Sequence, residues 1–174
     1  MIIVDANILI RAVLGRNVRQ LLETYAGHGI RFYAPDIAYA DAAKYLPSLL
    51  RKKGKSDVDL SAALAYLQSL IQPILQDPYG LFEEEARQRL RGRDEEDWPV
   101  LAAALALSCA IWTEDTDFFG SGIAVWTSDR IEIFLIRATE IPRSRPNLVA
   151  FPAVGSSGSG YRLGGVQRGK VSSL

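Results

Sequence analysis

Short apolar runs that stop at a carboxylate or a proline, each followed by a helix-length segment, constrain this chain more than any other feature. The first is Ile2-Ile3-Val4, halted by Asp5. The second, Ile30 to Ala34, is stopped by Pro35, which holds the preceding residue extended. Further runs cover Ile71 to Leu75, Cys109 to Thr113 and Ile123 to Thr127. Helical segments lie between them. Asn7 can cap a helix carrying Ile8, Leu9, Val13 and Leu14, a second helix covers roughly 17–26, and Asp36 can cap the next. Residues 57–70, the stretch from Pro78 to Gly92, 97–108 and 129–136 complete the set. This alternation predicts parallel strands with helices on both faces. Sites in such sheets lie beyond the C-terminal strand ends, near a switch in strand order. Asp5 and Asp115 occupy those ends.

At 174 residues the chain is long enough for one domain with a substantial core. Twenty basic and twenty acidic residues cancel, which argues against a uniformly basic nucleic-acid clamp. The charge is unevenly placed. All five charged residues after Glu140 are basic, leaving the first 140 residues at net −5. Residues 1–140 therefore read as the folded domain and 141–174 as a basic, Gly/Ser-rich, flexible tail containing Gly155-Ser156-Ser157-Gly158-Ser159-Gly160. A single cysteine, Cys109, excludes an internal disulfide and reads as a buried structural thiol. The longest weakly charged run, Trp98 to Trp112, is too short for a membrane span. The expectation is a soluble, cytoplasmic protein with no membrane partner.

The acids carry the chemistry. Asp5 ends the first strand, where it reads equally as a helix cap, and Asn7 is placed to orient it. Asp41 stands four residues after Ile37 and four before Tyr45, so it shares a helical face with apolar neighbours. Asp97 opens an alanine-rich helix in which Pro99 falls in the first turn. Asp115 and Asp117 follow an apolar strand directly, with Phe118-Phe119 behind them and Thr113 ready to donate to a carboxylate. Glu114 is read as pointing away, and Asp94, Glu95 and Glu96 as solvated. Acids gathered at one sheet edge repel one another unless a cation neutralises them. Oxygen ligands without a matching histidine or cysteine set suit Mg²⁺ or Mn²⁺ better than Zn²⁺. The lone histidine, His28, borders a glycine turn and reads as a surface residue.

These pieces, IIVDANIL at 2–9, APDIAYAD at 34–41 and DWPVLAAALALSCAIWTEDTDFFGSGIAVWT at 97–127, resemble a PIN domain. That is the nuclease fold of many bacterial and archaeal toxins of toxin–antitoxin pairs. The resemblance covers about residues 1–136. It implies a three-layer α/β/α sandwich with a central, mainly parallel sheet, in which clustered acids hold divalent metal for RNA cleavage. By position it gives catalytic roles to Asp5, Asp41, Asp97, Asp115 and Asp117. Asp5, Asp97, Asp115 and Asp117 would be metal ligands, and Asp41 would act directly or through water. The family normally has Glu six residues after the proline, where this chain has Asp41. The shorter side chain reaches about 1–1.5 Å less far, against metal–oxygen distances near ~2.1 Å.

The expected activity is thus a Mg²⁺- or Mn²⁺-dependent endoribonuclease acting on RNA phosphodiester bonds. A cognate antitoxin and a homodimer are the expected partners, with the apolar face on residues 57–71 as a candidate contact. Arg51, Lys52, Lys53 and Lys55 read either as a guide for the RNA backbone or as a solvated charge run. The alternative function is a catalytically weak PIN-like scaffold or RNA/protein-binding module. Asp41 in the glutamate position and the basic tail are its support. A receiver-like or phosphatase reading fits poorly, because Asp5 is the only early strand-end acid.

Overall fold

The computed structural model describes residues 1–140; the expected tail at 141–174 lies outside the described residues. Five strands, β1 (Ile2–Val4), β2 (Phe32–Pro35), β3 (Ile71–Ile74), β4 (Ala110–Trp112) and β5 (Val125–Trp126), form one sheet. All pairings are parallel, and the order is β3-β2-β1-β4-β5. Eight helices flank it among the described residues: α1 (Ala6–Leu14), α2 (Arg16–Gly27), α3 (Asp36–Lys52), α4 (Leu60–Leu70), α5 (Gln76–Gly80), α6 (Glu83–Arg89), α7 (Trp98–Leu107) and α8 (Ile131–Glu140). The architecture is the three-layer α/β/α sandwich expected from the strand–helix alternation.

Burial explains the order. β1 is central, and Ile2, Ile3 and Val4 are all fully buried, as a strand covered on both faces requires. β3 contains Pro73, which cannot donate to a ladder and is tolerated because β3 is an edge strand. The chain steps outward from β1 through β2 to β3, then returns across the sheet to β4. Right-handed crossovers therefore put α1–α4 on one face and α5–α7 on the other. Phe32 and Trp112, whose rings are 6.2 Å apart, belong to the core beside β1. The switch in direction falls between β1 and β4, where the Asp5 N–H donates to the Trp112 carbonyl at 3.1 Å.

Several local expectations change. Asp5, not Asn7, caps α1, its carboxylate accepting from the Ala6 N–H. α4 starts at Leu60 rather than 57, because the Asp59 side chain caps the Ala62 N–H. The segment from Pro78 to Gly92 is not one helix but α5 and α6, parted after Gly80, a residue that favours helix ends over interiors. Cys109 precedes β4 and is half-buried rather than enclosed; burial still pushes its thiol up to about 11. The apolar side of residues 57–71 faces inward, with Leu67 buried and Leu60 and Leu64 packed on the core. No helix among the described residues is long and apolar enough to cross a membrane.

Candidate metal centre

The strand ends beside the switch open into a cleft of about 560 Å³. Asp5, Asp41, Asp97 and Asp115 line it, together with Asn7, Lys44, Asp94 and Glu96. Four of the five expected acids thus meet in one hollow. Asp117 does not line it. Its Oδ2 accepts from the Asp94 N–H at 3.2 Å, so this carboxylate faces the loop that leads into α7. Glu114 also points elsewhere, pairing with Arg11 and accepting from the Ser128 N–H.

Asp5 is the most enclosed acid, at 8% exposure. Its Oδ1 accepts from the Ala6 N–H at 2.6 Å, and its Oδ2 accepts from Asn7 Nδ2 at 2.5 Å and Thr113 Oγ1 at 2.6 Å. Asn7 continues the network, donating to Thr113 Oγ1 at 2.9 Å and accepting from the Glu114 N–H at 3.1 Å. This lattice ties the start of α1 to the end of β4 across more than a hundred residues. Burial raises the Asp5 pKa, and the hydrogen bonds from Thr113 and Ala6 only partly offset it.

Asp97 differs in kind. It sits at the N-terminus of α7, yet its side chain caps nothing. The carboxylate is half-buried, and among the described residues no hydrogen bond or ion pair reaches it. Desolvation, then repulsion from Asp5, Asp94, Asp115 and Asp117, pushes its pKa up to about 7. Asp41, on α3, likewise has no hydrogen-bond partner for its carboxylate among the described residues. Asp115 uses Oδ1 to cap the 3₁₀ turn Thr116–Phe118, accepting from the Asp117 N–H at 2.8 Å.

The donor set suits a hard divalent cation: oxygen ligands only, excess negative charge and a half-buried carboxylate with no counter-charge. The side chains surround the cleft without converging. Among the described residues, no group of three or more His, Cys, Asp or Glu is arranged to hold an ion. No hydrogen bond among the described residues holds the Asp41 or Asp97 carboxylate in place. A cation in the cleft would also relieve the repulsion that raises Asp97.

Two features of the site lay beyond sequence reasoning. Lys44 lines the cleft, three residues after Asp41 on the same helical face. Arg51, Lys52, Lys53 and Lys55 do not. Arg51 and Lys52 lie at the far end of α3, about 15 Å or more along the helix from Asp41, further than salt lets exposed charges act, and Lys53 and Lys55 follow the end of that helix. Lys55 there donates to the Leu14 carbonyl at the end of α1. The second feature is a clamp on the loop after β4. Arg93 donates to the carbonyls of Asp117 and Phe119, and Arg89 to that of Ser121 at 2.9 Å. Gly120 and Gly122, at φ 85° and 84°, allow this approach, since a Cβ there would stand 3.1 and 3.0 Å from the guanidinium groups. His28 is exposed at the end of α2, beside Tyr25.

Comparison with known proteins gives a family match over residues 3–136, to the model described as PIN domain. No curated protein matches the chain. Among solved structures, one described as the structure of FitAB bound to IR36 DNA fragment is similar, with a TM-score of 0.46 and 18% identity, over 74% of this chain and 95% of that one.

Proposed function

The chain belongs to the PIN-domain family, and from that premise we propose that it is a divalent-metal-dependent endoribonuclease. The observation that carries this reading is the state of Asp97: half-buried, without a hydrogen bond, and raised to about 7 by burial and four neighbouring carboxylates. An acid kept in that condition purely for stability would be a liability; as a cation ligand it is poised.

Asp5, Asp97 and Asp115 would hold Mg²⁺ or Mn²⁺, with Asp41 direct or through water. When bound, such an ion supplies Lewis-acid polarisation of a phosphoryl oxygen and a lowered pKa for water. The chain's own residues do the rest. Asn7 and Thr113 lock Asp5 so that one rotamer faces the cleft. Lys44 attracts the phosphate backbone into a cleft that is otherwise acidic. Asp117, outside the cleft wall, acts through its charge on Asp97 and its hold on Asp94. A toxin role with a cognate antitoxin, action in the cytoplasm and pairing with a second copy belong to the same reading. Growth arrest on expression, relieved by the product of an adjacent gene, assigns the toxin role.

The test is incubation of purified protein with single-stranded and structured RNA in EDTA, Mg²⁺ or Mn²⁺, beside Asp97→Asn. Cleavage that requires metal and disappears in the variant supports the nuclease. A folded protein that neither cleaves RNA nor binds Mn²⁺ points instead to the catalytically weak scaffold.

A further inference from the structure

The acidic cleft has a neighbour to which the nuclease reading gives no role. A hollow of about 360 Å³ adjoins it, and the two share Ile37, Glu96 and Pro99 in their walls. The first turns of α3 and α7 and part of α5 form this hollow. Ala40 and Asp41 are consecutive on α3, and the first lines the hollow while the second lines the cleft. A group bound at the acids therefore has a continuation within reach.

The chemistry of the hollow selects what can enter. Ile37, Ala40, Trp98 and Pro99 supply apolar surface. The Tyr79 and Trp98 rings pack at 5.8 Å and are almost completely buried, so this wall is rigid. Asp36 and Glu96 are the charged residues lining it, and both are acidic. A phosphate is repelled here, with no lysine or arginine in the lining to offset the two carboxylates. The cleft next door has Lys44 and the acids that would hold a cation. An uncharged, flat and partly polar group is accepted. The volume is at the low end of the ~300–1,000 Å³ typical of ligand pockets, enough for one base and too small for a strand.

Asp36 provides direction. Its Oδ1 accepts from the Tyr79 hydroxyl at 2.7 Å and from the Ile37 N–H at 3.0 Å, which fixes the carboxylate. Its Oδ2 has no partner among the described residues. The free oxygen can only accept, so it favours an N–H on the incoming group. Resting on the nuclease reading, we propose that this hollow is a nucleobase subsite beside the scissile phosphate, in which Asp36 favours bases bearing an amino group over uracil. Uracil's single Watson–Crick N–H lies between two carbonyl oxygens that a carboxylate repels. Recognition of splayed single-stranded bases by their Watson–Crick edges is the usual route to sequence preference in RNA.

Binding can be measured without cleavage. The full chain in EDTA is titrated with uncharged nucleosides while the Trp98 indole N–H is followed by ¹H–¹⁵N NMR, its signal assigned with Trp98→Phe. Adenosine, cytidine or guanosine should shift this signal at about tenfold lower concentration than uridine, the discrimination one hydrogen bond to a charged acceptor provides. Ala40→Leu, a change at an exposed helix position that fills the hollow, should abolish the shift. Asp36→Asn should erase the difference between nucleosides. The proposal is overturned if no nucleoside moves the Trp98 signal, if uridine binds as well as the others, or if Ala40→Leu leaves the titration unchanged. The readout needs neither metal nor hydrolysis, so the two failures are distinguishable: loss of the nuclease reading removes the scissile phosphate from beside the hollow, whereas an unmoved Trp98 signal removes the base subsite itself.

Discussion

Replacing Asp97 with Asn should stabilise the metal-free protein while destroying its function. The folded state holds the Asp97 pKa near 7 against an ordinary 3.8. The sign follows from proton linkage: a raised carboxylate pKa leaves stability intact below the unfolded value, and stability is lost as pH rises through the folded value. The penalty is therefore absent near pH 4, grows between pH 4 and 7, and is complete above 7. A three-unit shift corresponds to about 4 kcal/mol for a fully enclosed group. Solvent screening at this half-buried carboxylate reduces that to about 1–2 kcal/mol. For a chain of this size, each kcal/mol moves the melting temperature by about 2–4 °C. Calorimetry in EDTA at pH 8 should thus show Asp97→Asn melting roughly 2–8 °C above wild type, with the gap closing towards pH 4. Adding Mn²⁺ should reverse the ranking, because only the wild type gains from the cation. A variant that melts lower at pH 8 without metal, or a gap that ignores pH, would falsify the account of repulsion around Asp97.

Four further outcomes follow from named contacts. Thr113→Val removes a donor to the buried Asp5 carboxylate and should lower stability by about 2–3 kcal/mol in urea melts; no change would mean the network is not coupled to folding. Asp41→Glu restores the missing methylene and should tighten Mn²⁺ binding severalfold in titration calorimetry, whereas weaker binding would show that α3 is set for the shorter acid. Lys44→Ala should reduce kcat/KM on RNA about tenfold, while the triple change Arg51→Ala, Lys52→Ala, Lys53→Ala should leave it unaltered; equal losses would contradict their separation along α3. Ser108, which ends α7 in the left-handed region at φ 49°, should accept glycine with a gain of about 1 kcal/mol in the same melts, and a loss there would show that the side chain has a role.

Much of the fold was legible because its signals are local. A buried central strand must be apolar at every position, so β1 announces itself as Ile2-Ile3-Val4 and ends where Asp5 cannot be buried without partners. Proline-stopped β2 and the alternation with helices imply a parallel sheet. Helix boundaries were less legible where two residues competed for one role: Asp5 and Asn7 both cap well, and only the reach from Asn7 to Thr113 decides between them. The break between α5 and α6 was hidden behind regularly spaced charges, which mark a wet helical surface but not its continuity.

Sequence alone determined which residue types stand at strand ends, that a cation among them would meet oxygen donors, and that the family resemblance runs through them. Tertiary structure decided which of them share a space. Strand order sets Asp5 beside Thr113 and Asp115, and the turn of α3 puts Lys44 at the cleft while carrying Arg51 to Lys55 away from it. The loop after Asp115 directs the Asp117 carboxylate to the Asp94 N–H rather than into the cleft wall, and the packing of α5 against α7 builds the hollow beside Asp36. Side-chain period and solvation act over a few residues and are written in the sequence. Convergence and electrostatic repulsion act through space, between residues that only crossovers and strand register bring together.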